Sequence, residues 1–141
     1  EEMESVKRKE DELEAAKERT QKIIDAFPYP IFWKDKRSVY IGCNSLFSTL
    51  AGVDSPSDIV GKNDHDLPWK SEADLHVQED TEVMNNNAPR INREKPWIDS
   101  TGGTVLRSTS RVPIVNEEGV VFGILGFLGE INGGKSEEEG A

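Results

Sequence analysis

The sequence of 141 residues contains one cysteine, Cys43, which excludes an internal disulfide and a zinc site built from several thiolates. Basic residues are also scarce: 17 Lys and Arg stand against 27 Asp and Glu, for a net charge of −10. Because an acidic surface repels phosphate, we expect no nucleic-acid partner and no direct membrane contact. No apolar run approaches the roughly 20 residues that span a bilayer, and no signal peptide is visible. We expect a cytoplasmic location, with any membrane anchor of the parent protein outside this sequence.

The first 27 residues lack glycine and proline and are rich in Glu, Lys, Arg and Ala, which predicts a helix. Apolar residues recur along it at steps of three and four, although Lys9 and Thr20 interrupt the series of Val6, Leu13, Ala16, Ile23 and Phe27. The helix could be a solvated element that packs on its own domain, or half of a parallel dimer. We favour a homodimer through this N-terminal helix, whose end would pack on the last strand at Val120, Phe122 and Ile124.

The remaining pattern predicts two short strands, a block of helices and three further strands. Pro28 and Pro30 end the first helix, and residues 31–35 and 38–44 have the composition of strands. Asn44 is placed to cap a short helix that Gly52 ends. A second helix is predicted over 72–87, and strands over 90–99, 104–115 and 120–131. This order predicts an α+β domain with a five-stranded antiparallel sheet and a helical block on one face.

Four segments, matched in order, resemble the PAS family of sensor domains over approximately residues 22–132. They are 27–35 (FPYPIFWKD), 41–47 (IGCNSLF), 61–69 (GKNDHDLPW) and the last hairpin, which contains RVPI, NEEG and GILG. The resemblance implies a PAS fold and a ligand cleft between sheet and helices. It also implies a non-enzymatic signal-input role, as in the sensor histidine kinases of two-component systems and in cyclic-dinucleotide signalling proteins.

Composition and resemblance together divide the chain into an N-terminal coupling or coiled-coil helix (1–27), a PAS sensor domain (28–132) and an acidic tail that is expected to be disordered (133–141). PAS domains often close with Asp-Ile-Thr, which ties the last strand to an output helix. Here the corresponding triplet, our candidate signal relay, is Glu130, Ile131 and Asn132.

Candidates for the ligand pocket are apolar or small polar residues on the predicted sheet and helices: Phe32, Ile41, Phe47, Trp69, Val83, Leu106, Ser108 and Ser110. On the strand over 104–115, the two-residue period allows either face to point inward. We favour the face with Leu106 over the face with Arg107 because it is the more apolar. The interior could hold a small ligand or be filled by the protein's own side chains.

Specific cofactor chemistry has little support in the sequence. His76 lies on the helix that supplies a haem ligand in some PAS domains, but a lone histidine among acidic residues is expected to be solvated, which makes it a weak metal candidate. The cysteine stretch of flavin photosensors is absent, so haem and flavin are both disfavoured. Either Asp64 or Asp66 is expected to fix its loop by accepting hydrogen bonds from nearby backbone N–H groups. Two functions remain: a ligand-sensing input domain, or a ligand-free PAS module for dimerisation and protein interaction.

Overall fold

The structure, a computed structural model, describes residues 2–130. It contains three α-helices, namely α1 (Glu2–Asp25), α2 (Ser45–Ala51) and α3 (Ala73–Asn86). Three short 3-10 helices lie between α2 and α3, at Pro56–Ile59, Asp64–Asp66 and Lys70–Glu72. The five strands are β1 (Ile31–Asp35), β2 (Tyr40–Cys43), β3 (Arg90–Ile98), β4 (Thr104–Val115) and β5 (Val121–Glu130). The predicted tail and the residues Ile131 and Asn132 lie outside the described residues.

The five strands form one antiparallel sheet in the order β2-β1-β5-β4-β3. The chain leaves β2 at one edge, builds the helical block, and re-enters the sheet at the opposite edge with β3. The block and α3 cover the inner face of the sheet, where Phe32, Tyr40 and Trp97 lie fully buried. This confirms the predicted PAS-like α+β fold with a long N-terminal helix.

Asn44 joins three elements and explains why the chain turns sharply after β2. Its side-chain oxygen accepts a hydrogen bond from the N–H of Phe47, so Asn44 caps α2. The same oxygen accepts from the N–H of Ile31 at the start of β1. Its amide nitrogen donates to the carbonyls of Ile24 and Tyr29. The predicted cap is therefore confirmed, and the same side chain also ties the end of α1 to the sheet.

Aromatic rings form the centre of the core on the inner face. The ring centroids of Phe32 and Phe47 lie 4.9 Å apart, those of Phe47 and Trp69 lie 5.5 Å apart, and those of Trp69 and Trp97 lie 4.8 Å apart. Gly126 lies directly across from Phe32, and a Cβ there would come within 2.3 Å of the Phe32 ring. The ring of Phe32 therefore occupies the space that glycine leaves on β5.

The outer face of the sheet is apolar and only partly covered. Trp33, Leu125 and Val112 are directly paired across β1, β5 and β4, and all three are half-buried. Phe127 lies on the same face and packs against Phe27, with ring centroids 6.0 Å apart. The prediction that Ile124 lies on this face is wrong, because Ile124 is paired with the inward-pointing Lys34 and is fully buried.

The predicted inward face of β4 is also wrong. Leu106 is 47% exposed, whereas Thr109 and Arg111 are buried against the helical side of the sheet. Thr109 accepts a hydrogen bond from the indole nitrogen of Trp97, and Arg111 reaches α3. Choosing the more apolar face of β4 as the inward one failed because α3 places carboxylates against the sheet. The more polar face of β4 therefore points inward, where Arg111 forms ion pairs with them.

Helix α1 extends over 24 residues, and none of them is buried. Its apolar side chains remain accessible: Leu13 is 65% exposed and Ile23 is 72% exposed. The helix is anchored near its C-terminal end, where Gln21 donates to the carbonyl of Cys43 and Asp25 accepts from the N–H of Ser45. No helix among residues 2–130 combines the length and apolarity needed to cross a membrane.

Candidate functional site: a buried charge cluster

A cluster of charged and polar side chains lies between α3 and the inner face of the sheet, where an apolar core would be the ordinary arrangement. We call it the charge cluster and define it by ten residues: Lys34, Ser38, Tyr40, Asp64, Trp69, His76, Glu79, Asp80, Lys95 and Arg111.

Lys34 is the centre of one half of the charge cluster. Its ammonium lies 2.7 Å from Asp64 Oδ2 and 2.6 Å from Asp80 Oδ2, and the lysine side chain is 1% exposed. It is directed inward because it alternates with Trp33 on β1 and therefore shares the face of Phe32. Lys34 thus links β1 both to the loop before α3 and to α3 itself.

Asp64 accepts hydrogen bonds from three side chains. Besides Lys34, the hydroxyl of Tyr40 donates to Oδ1 at 2.7 Å and the indole nitrogen of Trp69 donates to the same oxygen at 2.8 Å. The backbone role that we predicted for one of the two aspartates belongs to Asp66, which accepts from the N–H of Asn63. The carboxylate of Asp64 points into the core instead and binds side chains there.

Arg111 organises the other half. Its Nε donates to Asp80 Oδ1 at 2.6 Å, and its Nη1 donates to Glu79 Oε1 at 2.6 Å. The second oxygen of Glu79 lies 2.9 Å from the ammonium of Lys95 on β3. Asp80 therefore bridges the two halves, since Lys34 contacts one of its oxygens and Arg111 the other.

The charge cluster is balanced, with three cations (Lys34, Lys95 and Arg111) and three carboxylates (Asp64, Glu79 and Asp80). Burial would raise the pKa of both aspartates, but their cationic partners outweigh it and leave each pKa below its ordinary value. Burial and the Asp64 carboxylate raise the pKa of Tyr40, so its hydroxyl stays protonated and donates. Asp64 and Asp80 are therefore ionised and Tyr40 is neutral near neutral pH.

His76 is buried within this cluster, so the expectation of a solvated histidine is wrong. Burial, followed by the charge of Arg111, lowers the pKa of His76 to about 3, and the imidazole is neutral at physiological pH. Arg111 Nη2 lies 3.2 Å from His76 Nδ1, and because a guanidinium can only donate, Nδ1 must accept. The proton then resides on Nε2, a buried donor with no acceptor among the described residues.

The predicted pocket residues divide between the two sides of the sheet. Phe32, Phe47, Trp69 and Val83 line the interior next to the charge cluster. Their role as ligand contacts stays a prediction.

Ile41 and Leu106 are 43% and 47% exposed, and their assignment to the interior is wrong. Ser108 and Ser110 point outward as well, where Ser108 donates to the side chain of Asn92 and Ser110 accepts from its N–H. These two serines satisfy a bulge in β3, at which Asn92 has a φ of 59°. Of the predicted relay, Glu130 ends β5, and the other two residues are outside the described range.

Sequence reasoning missed the charged members of the cluster. Lys34 was visible as a cation at an inward position of an otherwise apolar strand, and Arg111 as an arginine on the face that we rejected. Neither signal is decisive without the partner, since a strand lysine is ordinarily solvated. Within residues 2–130, no group of three His, Cys, Asp or Glu side chains is placed to hold a metal ion.

No protein-family model and no curated protein matches this sequence. Solved structures do match. A VqmA dimer of Vibrio cholerae, described in the absence of target DNA, superposes with a TM-score of 0.74 at 18% identity, over 81% of this chain and 52% of that one. A VqmA–ligand–DNA complex gives a TM-score of 0.71 at 19% identity, over 78% of this chain and 49% of that one.

The PAS domain of Bordetella pertussis BvgS also matches, with a TM-score of 0.66 at 22% identity, over 84% of this chain and 88% of that one. This chain therefore spans about half the length of the VqmA chains and most of the length of the BvgS domain.

These comparisons contradict the expectation that nucleic acid is excluded as a partner. VqmA is a DNA-binding receptor, and its structures share the fold of this chain. Our argument used the net charge of these 141 residues, whereas the matched region is about half of a VqmA chain. The net charge of these residues therefore gives no ground for excluding a nucleic-acid partner. The chain has the fold of a PAS domain. This follows from the order of its strands, from the helical block between β2 and β3, and from its likeness to these structures.

Proposed function

We propose that this chain is the signal-input domain of a signalling protein, that it senses a small polar ligand between the sheet and α3, and that it relays the signal through a dimeric helix. The observation that carries the proposal is the buried N–H of His76, which has no acceptor among the described residues in an interior otherwise built from paired charges. A ligand with an acceptor oxygen or nitrogen would complete that hydrogen bond. VqmA, which has the same fold, is described bound to DPO.

The energetics of the charge cluster support a functional interior. Replacing buried ion pairs with apolar side chains of similar size is often neutral or stabilising, so stability alone does not require them. Such a cluster does hold α3 at one position on the sheet, because each ion pair forms only when its two charged groups are in contact. A ligand that competes for Arg111 or His76 would loosen that connection and shift α3, provided that it binds the two arrangements with different affinity.

The sensing proposal can be tested with the two histidines of the chain. A mixture of small metabolites below 1 kDa is added to the purified protein, and the thermal midpoint and the indole N–H signal of Trp97 are followed. We expect the mixture to raise the midpoint and shift the signal in the wild type and in His65→Phe, whose side chain is 57% exposed, but not in His76→Phe. A response that persists in His76→Phe would contradict the proposed role of the His76 Nε2–H donor.

The second candidate function is a ligand-free module for dimerisation and protein interaction. One specific observation favours it: the charge cluster is internally balanced and all its members except Lys95 are buried, so the protein's own side chains occupy the space next to α3. If no metabolite mixture changes the Trp97 signal in the wild type, this second function replaces the first.

The proposed relay rests on α1. Its accessible apolar residues, Leu13 and Ile23 among them, would be buried between two copies of the helix. The half-buried outer face of the sheet adjoins the helix end through the contact of Phe27 with Phe127. Any kinase or cyclase activity of the parent protein would lie in residues outside this chain.

Analytical ultracentrifugation tests the dimer. We expect self-association in the range of tens of micromolar, roughly tenfold weaker association in Leu13→Glu, and near loss of it on deletion of residues 1–22. Ala15→Glu makes the same charge change on the opposite side of α1 and is the matched control. Equal weakening by both variants, or a wild-type chain that is monomeric at these concentrations, would show that α1 is no dimer helix.

A further inference from the structure

A second candidate site adjoins the charge cluster, since Arg107 in its lining is paired on the sheet with Lys95. A groove of about 430 Å³ is enclosed by the loop before β1, by α2 and by the turn between β3 and β4. We call it the turn groove and use six of its residues: Tyr29, Leu46, Leu50, Asp99, Thr101 and Arg107. Its volume is within the range of pockets that bind small molecules.

The turn groove is preformed, because the turn is bonded directly to α2. The N–H of Ser100 donates to the carbonyl of Leu50 at 3.0 Å, and its hydroxyl donates to the carbonyl of Thr49 at 3.2 Å. Gly52 permits this approach, since a Cβ at that position would come within 2.8 Å of Ser100 Cβ. A ligand would therefore meet fixed walls, which lowers the entropic cost of binding.

Arg107 is the feature that no hydrogen bond to another described side chain explains. It is half-buried on the inward face of β4, and its Nε is buried without an acceptor among the described residues. A buried guanidinium N–H without a partner is costly, so an acceptor from outside the chain is the arrangement that would satisfy it. A carboxylate is the acceptor that best matches a guanidinium.

Asp99 places an opposite charge in the same groove. Hydrogen bonds from Thr101, whose hydroxyl lies 2.6 Å and whose N–H lies 3.0 Å from Asp99 Oδ1, lower the pKa of Asp99 and keep it ionised. Asp99 and Arg107 are not in ion-pair contact, although they are close enough for the arginine to act on that pKa. The groove thus presents one positive and one negative group, held apart from each other.

The other end of the groove is apolar. Tyr29 and Leu46 are each 44% exposed there, above the more deeply buried Leu50. A simple anion would be disfavoured in this groove by Asp99 and by the net charge of −10. A zwitterion with an apolar side chain matches all three features, with its carboxylate at Arg107, its ammonium at Asp99 and its side chain against Tyr29 and Leu46.

We propose that the turn groove binds a free α-amino acid with an aromatic or branched apolar side chain, at a site separate from the interior next to α3. A molecule of about a dozen heavy atoms in a half-open groove is expected to bind with a dissociation constant near a millimolar. The site would give the domain a second input, formed by residues that are not members of the charge cluster.

Three probes separate the parts of this proposal. L-phenylalanine carries both charges, 3-phenylpropionate lacks the ammonium, and phenethylamine lacks the carboxylate. Each is titrated into isotope-labelled protein while the amide signals of Leu46, Ser100 and Thr101 are followed by NMR. We expect L-phenylalanine to move these signals and to bind about tenfold more tightly than either of the other two probes.

Variants identify the two charged groups. Arg107→Gln should weaken L-phenylalanine binding at least tenfold, whereas Arg93→Gln, an exposed arginine on β3, should leave it unchanged. Asp99→Asn should remove the preference for L-phenylalanine over 3-phenylpropionate, and this readout remains available if Arg107→Gln does not fold. The proposal is overturned if groove signals stay fixed at about 10 mM L-phenylalanine, if 3-phenylpropionate binds equally well to the wild type, or if Arg107→Gln binds like the wild type.

Discussion

Each face of the sheet carries side chains that the usual arrangement places elsewhere: the inner face has buried charges beside its aromatic core, and the outer face has apolar side chains that are only half-buried. The inner face carries Lys34 and Arg111, which meet carboxylates from α3, while the outer face carries Trp33, Leu125 and Val112, which remain half-exposed. Charged side chains ordinarily face water, and apolar ones the core. The comparison of the two faces shows that polarity alone does not decide which face of a strand is buried. What decides it is whether the opposing element supplies partners.

The inner face should be intolerant of change and the outer face tolerant of it. In the charge cluster on the inner face, each charge depends on a partner at 2.6–2.9 Å, and removing one leaves another buried and unpaired. On the outer face, a half-exposed side chain can move or be hydrated. An apolar surface of this kind is also typical of regions that contact other proteins.

The largest expected effect comes from breaking the bridge between the two halves of the charge cluster. Asp80→Asn keeps the shape of the side chain but leaves Arg111 and Lys34 with one carboxylate partner each. We expect the free energy of unfolding to fall by about 3–5 kcal/mol, measured by urea denaturation with tryptophan fluorescence.

Asp74→Asn is the matched control for this substitution. Asp74 lies on the same helix with its side chain 95% exposed, and its loss should change stability by less than about 1 kcal/mol. Similar effects of the two substitutions would show that the charge cluster is not a stabilising unit.

The second effect is a pH dependence that originates on the inner face. The unfolded chain protonates His76 below its ordinary pKa of about 6.5, whereas the native state does so only near 3. Between these values the unfolded state binds more protons, so stability is complete above about pH 6.5 and decreases as the pH falls. We expect a slope of about 1.4 kcal/mol per pH unit between pH 6 and 4, with further losses below pH 4 as Asp64 and Asp80 protonate.

Urea denaturation at a series of pH values measures this slope. His76→Gln should flatten the dependence between pH 6 and 4, while His65→Gln, which changes an exposed histidine, should retain it. A slope that survives in His76→Gln would mean that the buried imidazole is not its source.

The smallest effect compares one glycine from each face. A Cβ at Gly126 would lie 2.3 Å from the fully buried ring of Phe32, and a Cβ at Gly42 would lie 2.3 Å from the half-buried ring of Trp33. Because Phe32 has no room to move, we expect Gly126→Ala to cost about 1–3 kcal/mol. Trp33 can tilt toward solvent, so Gly42→Ala should cost less than about 1 kcal/mol.

Thermal and urea denaturation of both variants measure the two losses of stability. A larger loss in Gly42→Ala than in Gly126→Ala would mean that the outer face is as tightly packed as the inner one.

Much of the fold could be predicted because its signals are local. Asn44 caps α2 and Gly52 ends it as expected, and β4 occupies the predicted range, since caps, turns and periodicity act within a few residues. The resemblance to PAS domains likewise depended on short segments in order. The interior was predicted less well, because Ile41 and Leu106 were assigned to it and Lys34 and Arg111 were not.

The sequence by itself determined the elements of this protein, their order and its negative charge. Only the tertiary structure decided which face of β4 points inward, because a strand with a two-residue period presents two faces and the chain alone does not choose between them. The tertiary structure also decided which charged side chains are buried. Lys34 meets Asp80 across 46 positions of sequence and Arg111 meets it across 31, and a charged side chain can be buried only where such a distant partner arrives at hydrogen-bonding distance.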